Sequence, residues 1–340
     1  MSKNRFQLLL SFITILGVSS QVFAAQWQAL PEQAPAPSDN PTTAAKVELG
    51  RSLFFDPRLS STGTVSCNSC HNVMLGGDDN RPVSMGVHGK LGGRSAPTVW
   101  NSAFNSSQFW DGRAKSLEEQ ALGPITNPIE MGMKNHAVAI KRIRAIKGYT
   151  PMFEKAFGGK QVLSIDNLAR AIAAYERTLI TPNSPYDRYV KGDKSAMSTK
   201  QVKGMKMFAS LGCTGCHMGP AFSGPSMAPG TGFFMKFPTY TNNQYVKKYA
   251  LMADKGRADK HEWKVPTLRN IALTAPYFHN GRVETLEEAV RVMARTQLDK
   301  KLNKSQVDKL VAFLNALTGE FPVQPMPRLP ATDGWTFTNK

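Results

Sequence analysis

Two copies of the pattern Cys-x-x-Cys-His carry the most specific chemistry in this sequence. They lie at residues 67–71 and 213–217, and together they contain all four cysteines of the chain. This spacing is the attachment signature of a c-type haem: two thiols add to the vinyl groups of one porphyrin, and the adjacent histidine binds the iron. The sequence therefore predicts two covalently bound haem c groups, held by Cys67, Cys70, His71, Cys213, Cys216 and His217.

Other uses of these cysteines remain open. A zinc ribbon also needs two Cys-x-x-Cys pairs, but its pairs lie only roughly 15–20 residues apart, whereas a long segment separates Cys70 from Cys213. A thioredoxin-like dithiol would need a βαβ pattern around it, and none is visible. Two disulfides would leave both following histidines unexplained. Haem attachment is thus the favoured interpretation.

The N-terminus has the pattern of an exported protein. A basic start precedes an apolar stretch at residues 8–18 and a Val22-Phe23-Ala24 ending, which predicts a signal peptide over residues 1–24. The apolar run is too short to span a bilayer, so we expect a periplasmic protein without a membrane anchor. Residues 25–42, rich in proline and alanine, predict an extended leader.

The charge is strongly positive, with a formal net charge of +17 at pH 7. Loss of Lys3 and Arg5 with the signal peptide leaves +15, spread along the chain rather than concentrated in one tract. Such a surface attracts an acidic partner and speeds its encounter. Export and haem attachment together argue against nucleic acid binding.

The elements that must position the two motifs repeat along the chain. The segment Gly50–Phe54 precedes the first motif as Gly204–Phe208 precedes the second, and residues 174–179 match residues 312–317. Apolar residues at helical spacing predict the core faces of the two closing helices: Leu168, Ile172, Tyr175 and Leu179, then Val307, Leu310, Leu314 and Leu317. We place helix N-caps at Asp166 and Ser198.

Each half therefore has the order of a small cytochrome c domain: helix, haem motif, loops, closing helix. The sequence predicts a mostly α fold with two cytochrome c-like domains, each with one covalent haem and long irregular loops. Their predicted extents are residues 43–192 and 193–322, followed by a tail at residues 323–340.

Short motifs in this order resemble the bacterial dihaem cytochrome c peroxidases. The resemblance runs from about Ala44 to Leu317 and rests on Cys67–Asn72, Gln108–Arg113, Glu118–Ala121, Ile129–Met131, Leu268–Ile271, Thr274–His279 and Glu287–Met293. It implies an enzyme that reduces hydrogen peroxide to water with electrons from a small periplasmic donor, either a cytochrome c or a cupredoxin. It also implies a homodimer.

The resemblance divides the work between the haems. The second haem would accept electrons, with Met293 as sixth ligand opposite His217, because Met/His ligation raises the reduction potential. The first would reduce peroxide, with His88 in the sixth position of the resting enzyme until its glycine-flanked loop moves. Core packing of one methionine among 15 and a solvent-exposed loop histidine are the ordinary alternatives.

Other residues receive roles from the same resemblance. Glu130 would be the distal acid/base, since a carboxylate of tuned pKa can move the proton between the peroxide oxygens. Gln120 would donate a hydrogen bond to peroxide, and Trp110 would mediate electron transfer between the haems. The ordinary alternatives are a surface carboxylate, a polar helix face and a core tryptophan. His279 should lie near the second haem, and we expect His136 and His261 at the surface.

The resemblance further implies a calcium ion between the domains. Thr274 and Pro276 correspond to positions that supply backbone carbonyl oxygens, which are hard ligands suited to calcium. The third position is usually asparagine in the family, but here it is Ser95. Serine has a shorter reach and no amide carbonyl, so we expect weaker or more hydrated calcium.

Two other functions remain open at this point. A dihaem electron carrier would keep both irons six-coordinate, so that His88 would never release. A long-range oxidase of a protein substrate would have tyrosine in place of the methionine ligand, and Met293 argues against it.

Overall fold

The structure, a computed structural model, describes residues 27–332 and is rich in helix. The predicted signal peptide and the last eight residues of the predicted tail lie outside the described residues. The α-helices are α1 (Ala44–Phe55), α2 (Cys67–Cys70), α3 (Leu117–Thr126), α4 (His136–Ala145), α5 (Tyr149–Phe157), α6 (Ile165–Glu176), α7 (Pro185–Val190), α8 (Thr199–Ser210), α9 (Gln244–Lys248), α10 (Leu286–Leu298) and α11 (Lys304–Asn315). The prediction of a mostly α fold is confirmed.

Strand structure is confined to one small hairpin-like sheet within the described range. Strands β1 (Phe234–Lys236) and β2 (Glu262–Lys264) pair antiparallel, with Met235 opposite Trp263. Short 3₁₀ turns at Pro57–Leu59, Val87–Gly89, Ser102–Phe104, Cys213–Gly215 and Ile271–Leu273 punctuate the loops. Between residues 27 and 332, no helix is long and apolar enough to cross a membrane.

The repeated sequence segments have a physical cause in helix packing. In the first half α1 packs against α6, so closely that a β-carbon built on Gly50 would lie 1.9 Å from Ala171 O. In the second half α8 packs against α11, and a β-carbon on Gly204 would lie 2.0 Å from Lys309 O. Only glycine permits such an approach of two helix backbones. The predicted core faces of both closing helices are buried, as expected.

The two predicted N-caps have different outcomes. Ser198 caps α8, and its side chain accepts a hydrogen bond from Gln201 N. The prediction for Asp166 is wrong, because α6 begins two residues earlier than an Asp166 cap requires and its cap is Ser164, whose Oγ accepts from Asn167 N. Asp166 instead lies in the first turn, where a negative charge is favourable near the positive end of the helix dipole.

The apolar residues form two clusters, and each chain end crosses to the cluster of the opposite half. The leader contributes buried Trp27 to the second cluster, where its ring contacts Tyr186 and Phe313. The tail runs back over the first cluster, and Pro330 O accepts a hydrogen bond of 2.8 Å from Arg58. Both segments are extended, and both join the halves.

Candidate functional site

The first Cys-x-x-Cys-His motif opens onto a cavity of about 490 Å³. Cys67 and Cys70 begin and end the short helix α2, and with His71 they line the cavity. His71 Nδ1 lies 3.0 Å from Pro97 O. With the proton on Nδ1, this contact orients the ring and leaves the lone pair of Nε2 available to a metal. Burial lowers the pKa of His71, which favours the neutral, ligating form.

The second motif lines a separate cavity of about 260 Å³. Here His217 Nδ1 lies 2.9 Å from Phe222 O, which repeats the arrangement of the first histidine. Met293, half-buried on α10, lines the same cavity as Cys213 and His217. The structure therefore brings the predicted thioether ligand and the predicted proximal histidine to one space.

The donor chemistry of both cavities fits a covalently attached haem. All four cysteines are free thiols, and burial raises the pKa of Cys70 and of Cys213 to about 11. Redox-active dithiols have lowered pKa values instead. The two pairs line different cavities, so they do not form one four-cysteine zinc site. Across residues 27–332, no group of three or more His, Cys, Asp or Glu side chains gathers as a metal site.

The two predicted peroxide-handling residues lie in the first cavity. Gln120 is on α3, and Glu130 follows that helix; both are half-buried and line the cavity with the first motif. Burial raises the pKa of Glu130, and Arg113 opposes that shift. Asn127 Nδ2 donates a hydrogen bond of 3.0 Å to Glu130 Oε1, which fixes the carboxylate.

His88 is placed apart from the other first-cavity residues. It is exposed, has a left-handed backbone with φ of 58°, and is absent from the residues that line the cavity. Its neighbour Val87 is buried and donates its backbone N–H to Glu130 O at 2.9 Å. The turn that carries His88 is thus tied to the segment that carries Glu130.

Trp110 lies in the wall between the cavities together with residues 95–98, because all five residues line both cavities. Its Nε1 donates a hydrogen bond of 2.8 Å to Ser95 O. The ring of His279 lies 6.4 Å from the Trp110 ring, edge to face. His279 itself is buried in the second cavity and stacks on Trp263 at 4.0 Å. Burial lowers the pKa of His279 to about 4, so it is neutral.

The predicted calcium residues also meet in the second cavity. Ser95, Thr274 and Pro276 all line it. The remaining two histidines, His136 and His261, were expected at the surface and are half-buried. Each has a ring nitrogen close to a backbone carbonyl, at 3.0 Å from Leu122 O and 3.1 Å from Asp254 O.

Comparisons with known proteins agree with this arrangement. The family model of the dihaem cytochrome c peroxidases matches residues 44–195. Cytochrome c551 peroxidase of Nitrosomonas europaea is 46% identical, covering 89% of this chain and 88% of the relative. Cytochrome c551 peroxidase of Pseudomonas aeruginosa is 44% identical, covering 96% of this chain and 94% of the relative. The chain belongs to the dihaem cytochrome c peroxidase family.

A solved structure supports the same fold for the peroxidase. A MauG-like protein associated with microbial copper homeostasis superposes with a TM-score of 0.72 at 30% identity, covering 86% of this chain and 95% of that one. The peroxidase is therefore an oxidoreductase with two haem cofactors. The electron-carrier alternative is not supported, because the family is one of enzymes.

The peroxidase carries charged cavity residues to which sequence reasoning gave no role. Arg94 joins Asp111 and Asp254, at 2.6 Å each, on the wall of the first cavity. Arg113 stands 3.5 Å above the Phe109 ring in the same wall. The sequence contained a signal for Arg113, because this residue ends the Gln108–Arg113 motif. No sequence pattern marked the ion pair of Arg94 with Asp254, because the two residues are distant in sequence.

Two buried carboxyl groups were also missed. Glu176, the last residue of α6, lines the first cavity, and burial raises its pKa to about 8. Asp78 lines the second cavity, and burial raises its pKa to about 6. Each has one carboxyl oxygen without a hydrogen-bond partner in the described part of the chain. Neither residue belongs to a recognisable spacing pattern.

Proposed function

We propose that this chain is a periplasmic peroxidase that binds one haem c covalently at each motif. Hydrogen peroxide is reduced at the first cavity, and electrons from a small periplasmic donor enter at the second. The balanced reaction is H2O2 + 2 H⁺ + 2 e⁻ → 2 H2O. The placement of particular side chains supports this most: Glu130 and Gln120 line the first cavity with His71, and Met293 lines the second with His217.

The chain would hold each haem through three residues of its motif. The two cysteines give thioether bonds, and His71 or His217 gives the proximal nitrogen, oriented by Pro97 O or Phe222 O. When bound, the haems supply the electron storage and the peroxide-binding iron that amino acid side chains lack. In the second cavity Met293 would be the sixth ligand.

Glu130 moves the proton that peroxide cleavage requires. Its carboxyl group takes a proton from one peroxide oxygen and returns it to the other, so that the leaving oxygen departs as water. The raised pKa of Glu130 brings it nearer to the range in which a carboxyl can both accept and donate. Gln120 holds peroxide in place by a hydrogen bond and does not titrate.

His88 closes the first cavity when its loop turns inward. The exposed position of His88 leaves the cavity accessible to peroxide. Because Val87 N bonds to Glu130 O, a movement of this turn also changes the position of the acid/base. Closing and opening would thus act on access and on proton transfer together.

Trp110 would connect the two centres electronically, since it is the aromatic side chain that lines both cavities. Calcium would lie beside it, held by Thr274 and Pro276 with Ser95 nearby. The positive charge of the chain favours a donor with an acidic docking face. A homodimer remains part of the proposal on family grounds alone.

Peroxide turnover by the fully oxidised and the half-reduced protein tests this function, with the visible spectrum followed in the same cuvette. Turnover only after half-reduction, with a high-spin signal, would support a peroxidase gated by His88. Equal turnover in both states would keep the peroxidase and remove the gate. No turnover by half-reduced, calcium-replete protein with both haems intact would contradict the proposal.

A further inference from the structure

An isolated carboxylate lies in the second cavity. Asp78 is 3% exposed, and its Oδ1 has no hydrogen-bond partner among residues 27–332. Asp78 follows the first haem motif by only a few residues, yet it lines the second cavity with Thr274 and Pro276. Backbone N–H groups of Asp78 and Asn80 act on the carboxylate, but a buried carboxyl oxygen left without a partner is still unfavourable, so a bound proton or a nearby cation would stabilise this group.

The loop that carries Asp78 is hydrogen-bonded to the segment at residues 273–275. Asn80 Nδ2 donates hydrogen bonds to Leu273 O at 3.0 Å and to Ala275 O at 2.9 Å. A β-carbon built on Gly76 would lie 2.6 Å from Leu273 O and 2.9 Å from Asp78 Oδ1. The free carboxyl oxygen is therefore close to the backbone that leads into Thr274.

The protein supplies no positive charge to this carboxylate within the described residues. The neighbouring charge that acts on Asp78 is that of Asp79, which is also negative. The carbonyl oxygens of Thr274 and Pro276 receive no backbone hydrogen bond in the same part of the chain. One carboxylate, free carbonyl oxygens and water form an all-oxygen donor set, which suits calcium rather than a softer metal.

We propose that Asp78 is a direct ligand of a calcium ion that Thr274 and Pro276 also bind. The inference rests on the calcium site of the proposed function and adds an anionic ligand to it. Ser95 supplies no anionic ligand, because its hydroxyl group is neutral. Its Oγ donates a hydrogen bond to Arg81 O at 3.5 Å. The carboxylate of Asp78 offsets the missing asparagine, so calcium binds more tightly than Ser95 alone would allow.

The position of this ion gives it a structural consequence. Asp78 belongs to the loop after the first haem motif, whereas Thr274 and Pro276 belong to the second half. An ion held by both joins the loop of one haem motif to the wall of the other cavity. Loss of calcium would then loosen the contact between the halves beside Trp110, which lines the same cavity.

The test is calcium affinity of the haem-loaded protein, measured by competition with a fluorescent chelator. Asp78→Asn keeps an amide oxygen but removes the negative charge, so it should bind calcium at least about tenfold more weakly than wild type, since changes to groups that only support metal ligands already cost about tenfold or more. Asp79→Asn is the matched control: it removes the same charge from the next residue, which is more exposed. The control should retain affinity within about threefold, because its interaction is screened.

Thermal unfolding separates a ligand from a merely structural residue. In chelator, Asp78→Asn should be at least as stable as wild type, because it removes an uncompensated buried charge. At the same calcium concentration, added calcium should raise the Tm of wild type by more than that of Asp78→Asn, because the variant binds calcium more weakly. Wild-type calcium affinity in Asp78→Asn, or equal destabilisation with and without calcium, would overturn the assignment. Neither readout uses peroxide, so a failure of the proposed peroxidase cycle would be seen separately.

Discussion

The two halves of the chain support their haem motifs alike but surround them differently. In each half a glycine, Gly50 or Gly204, lets two helices touch backbone to backbone. In each, the motif histidine, His71 or His217, lies against a backbone carbonyl. The scaffold is therefore shared, and the distinction between the halves must come from the residues that the loops and helix faces add.

The cavity walls differ most in polarity. The first includes seven charged or amide side chains: Arg94, Gln108, Asp111, Arg113, Gln120, Glu130 and Glu176. The second is more apolar and aromatic and includes Met293 and neutral His279, although the charged residues Asp78, Lys264 and Lys300 also line it. A polar wall can move protons, whereas an apolar wall with a thioether favours the reduced state of an electron-transfer centre. Under the proposed function, one shared scaffold would therefore serve two tasks through the side chains added around each motif.

Replacing Glu130 by glutamine should have the largest effect on the difference between the two cavities, because the first cavity then loses its proposed proton-transfer group. Glutamine keeps the shape but cannot titrate. We expect peroxide turnover by half-reduced protein to fall by roughly 10²- to 10⁴-fold, with both haem spectra unchanged. Steady-state peroxide consumption measures this. Glu119→Gln, an exposed carboxylate on α3, is the control, and wild-type turnover in Glu130→Gln would remove the acid/base role.

Replacing Met293 by alanine tests the other side of the comparison. We expect the midpoint potential of the second haem to fall by on the order of 0.1 V, because axial ligands set haem potentials over a wide range. The sulfur-to-iron absorption band should disappear as well. Spectroelectrochemical titration measures both. Met235→Ala, which changes another methionine of the same cavity, should alter neither, and an unchanged spectrum in Met293→Ala would exclude it as a ligand.

The shared scaffold can be tested by adding one carbon at each helix contact. Gly50→Ala and Gly204→Ala should each lower the free energy of unfolding by about 1–3 kcal/mol, since each new methyl group meets a backbone carbonyl. Urea unfolding followed by circular dichroism measures the loss. Gly93→Ala is the control, because no heavy atom lies within 4 Å of its added carbon. A loss in only one half would show that the contacts are not equivalent.

The sequence predicted what local patterns encode. Cysteine spacing located both cavities, helical periodicity located both closing helices, and motif order identified the family. The resemblance placed Glu130 and Gln120 at the first haem and Trp110 between the haems; Glu130 and Gln120 line the first cavity, and Trp110 lines both. The roles of these residues stay predictions, as do the domain boundaries and the haem and calcium ligands.

Long-range contacts lay beyond sequence reasoning. The leader residue Trp27 packs into the second cluster, and Pro330 of the tail bonds to Arg58 of the first half. No periodicity marks either contact, because each segment is extended and its partners are distant in sequence. The same holds for the burial of Asp78, which depends on the opposite half of the chain.

The smallest effect that we expect is on the pH dependence of stability, and it comes from Glu176. This carboxyl group tests how the wall of the first cavity differs from that of the second. Burial raises its pKa from 4.5 to about 8, while adjacent Arg177 opposes the shift and Glu118 adds to it. Between these values the folded protein holds a proton that the unfolded chain has lost, so stability falls as pH rises through this window. Below pH 4.5 the group is protonated in both states and contributes no slope.

Glu176→Gln cannot titrate and should lack this decline. Relative to wild type, its free energy of unfolding should therefore rise by roughly 1.3 kcal/mol between pH 6 and pH 7. Urea unfolding at several pH values measures the difference, and Glu119→Gln again serves as the exposed control. Parallel pH profiles for Glu176→Gln and wild type would mean that the carboxyl is ionised in the folded protein. The first cavity would then hold one more fixed negative charge beside Cys67, and proton transfer there would depend on Glu130 alone.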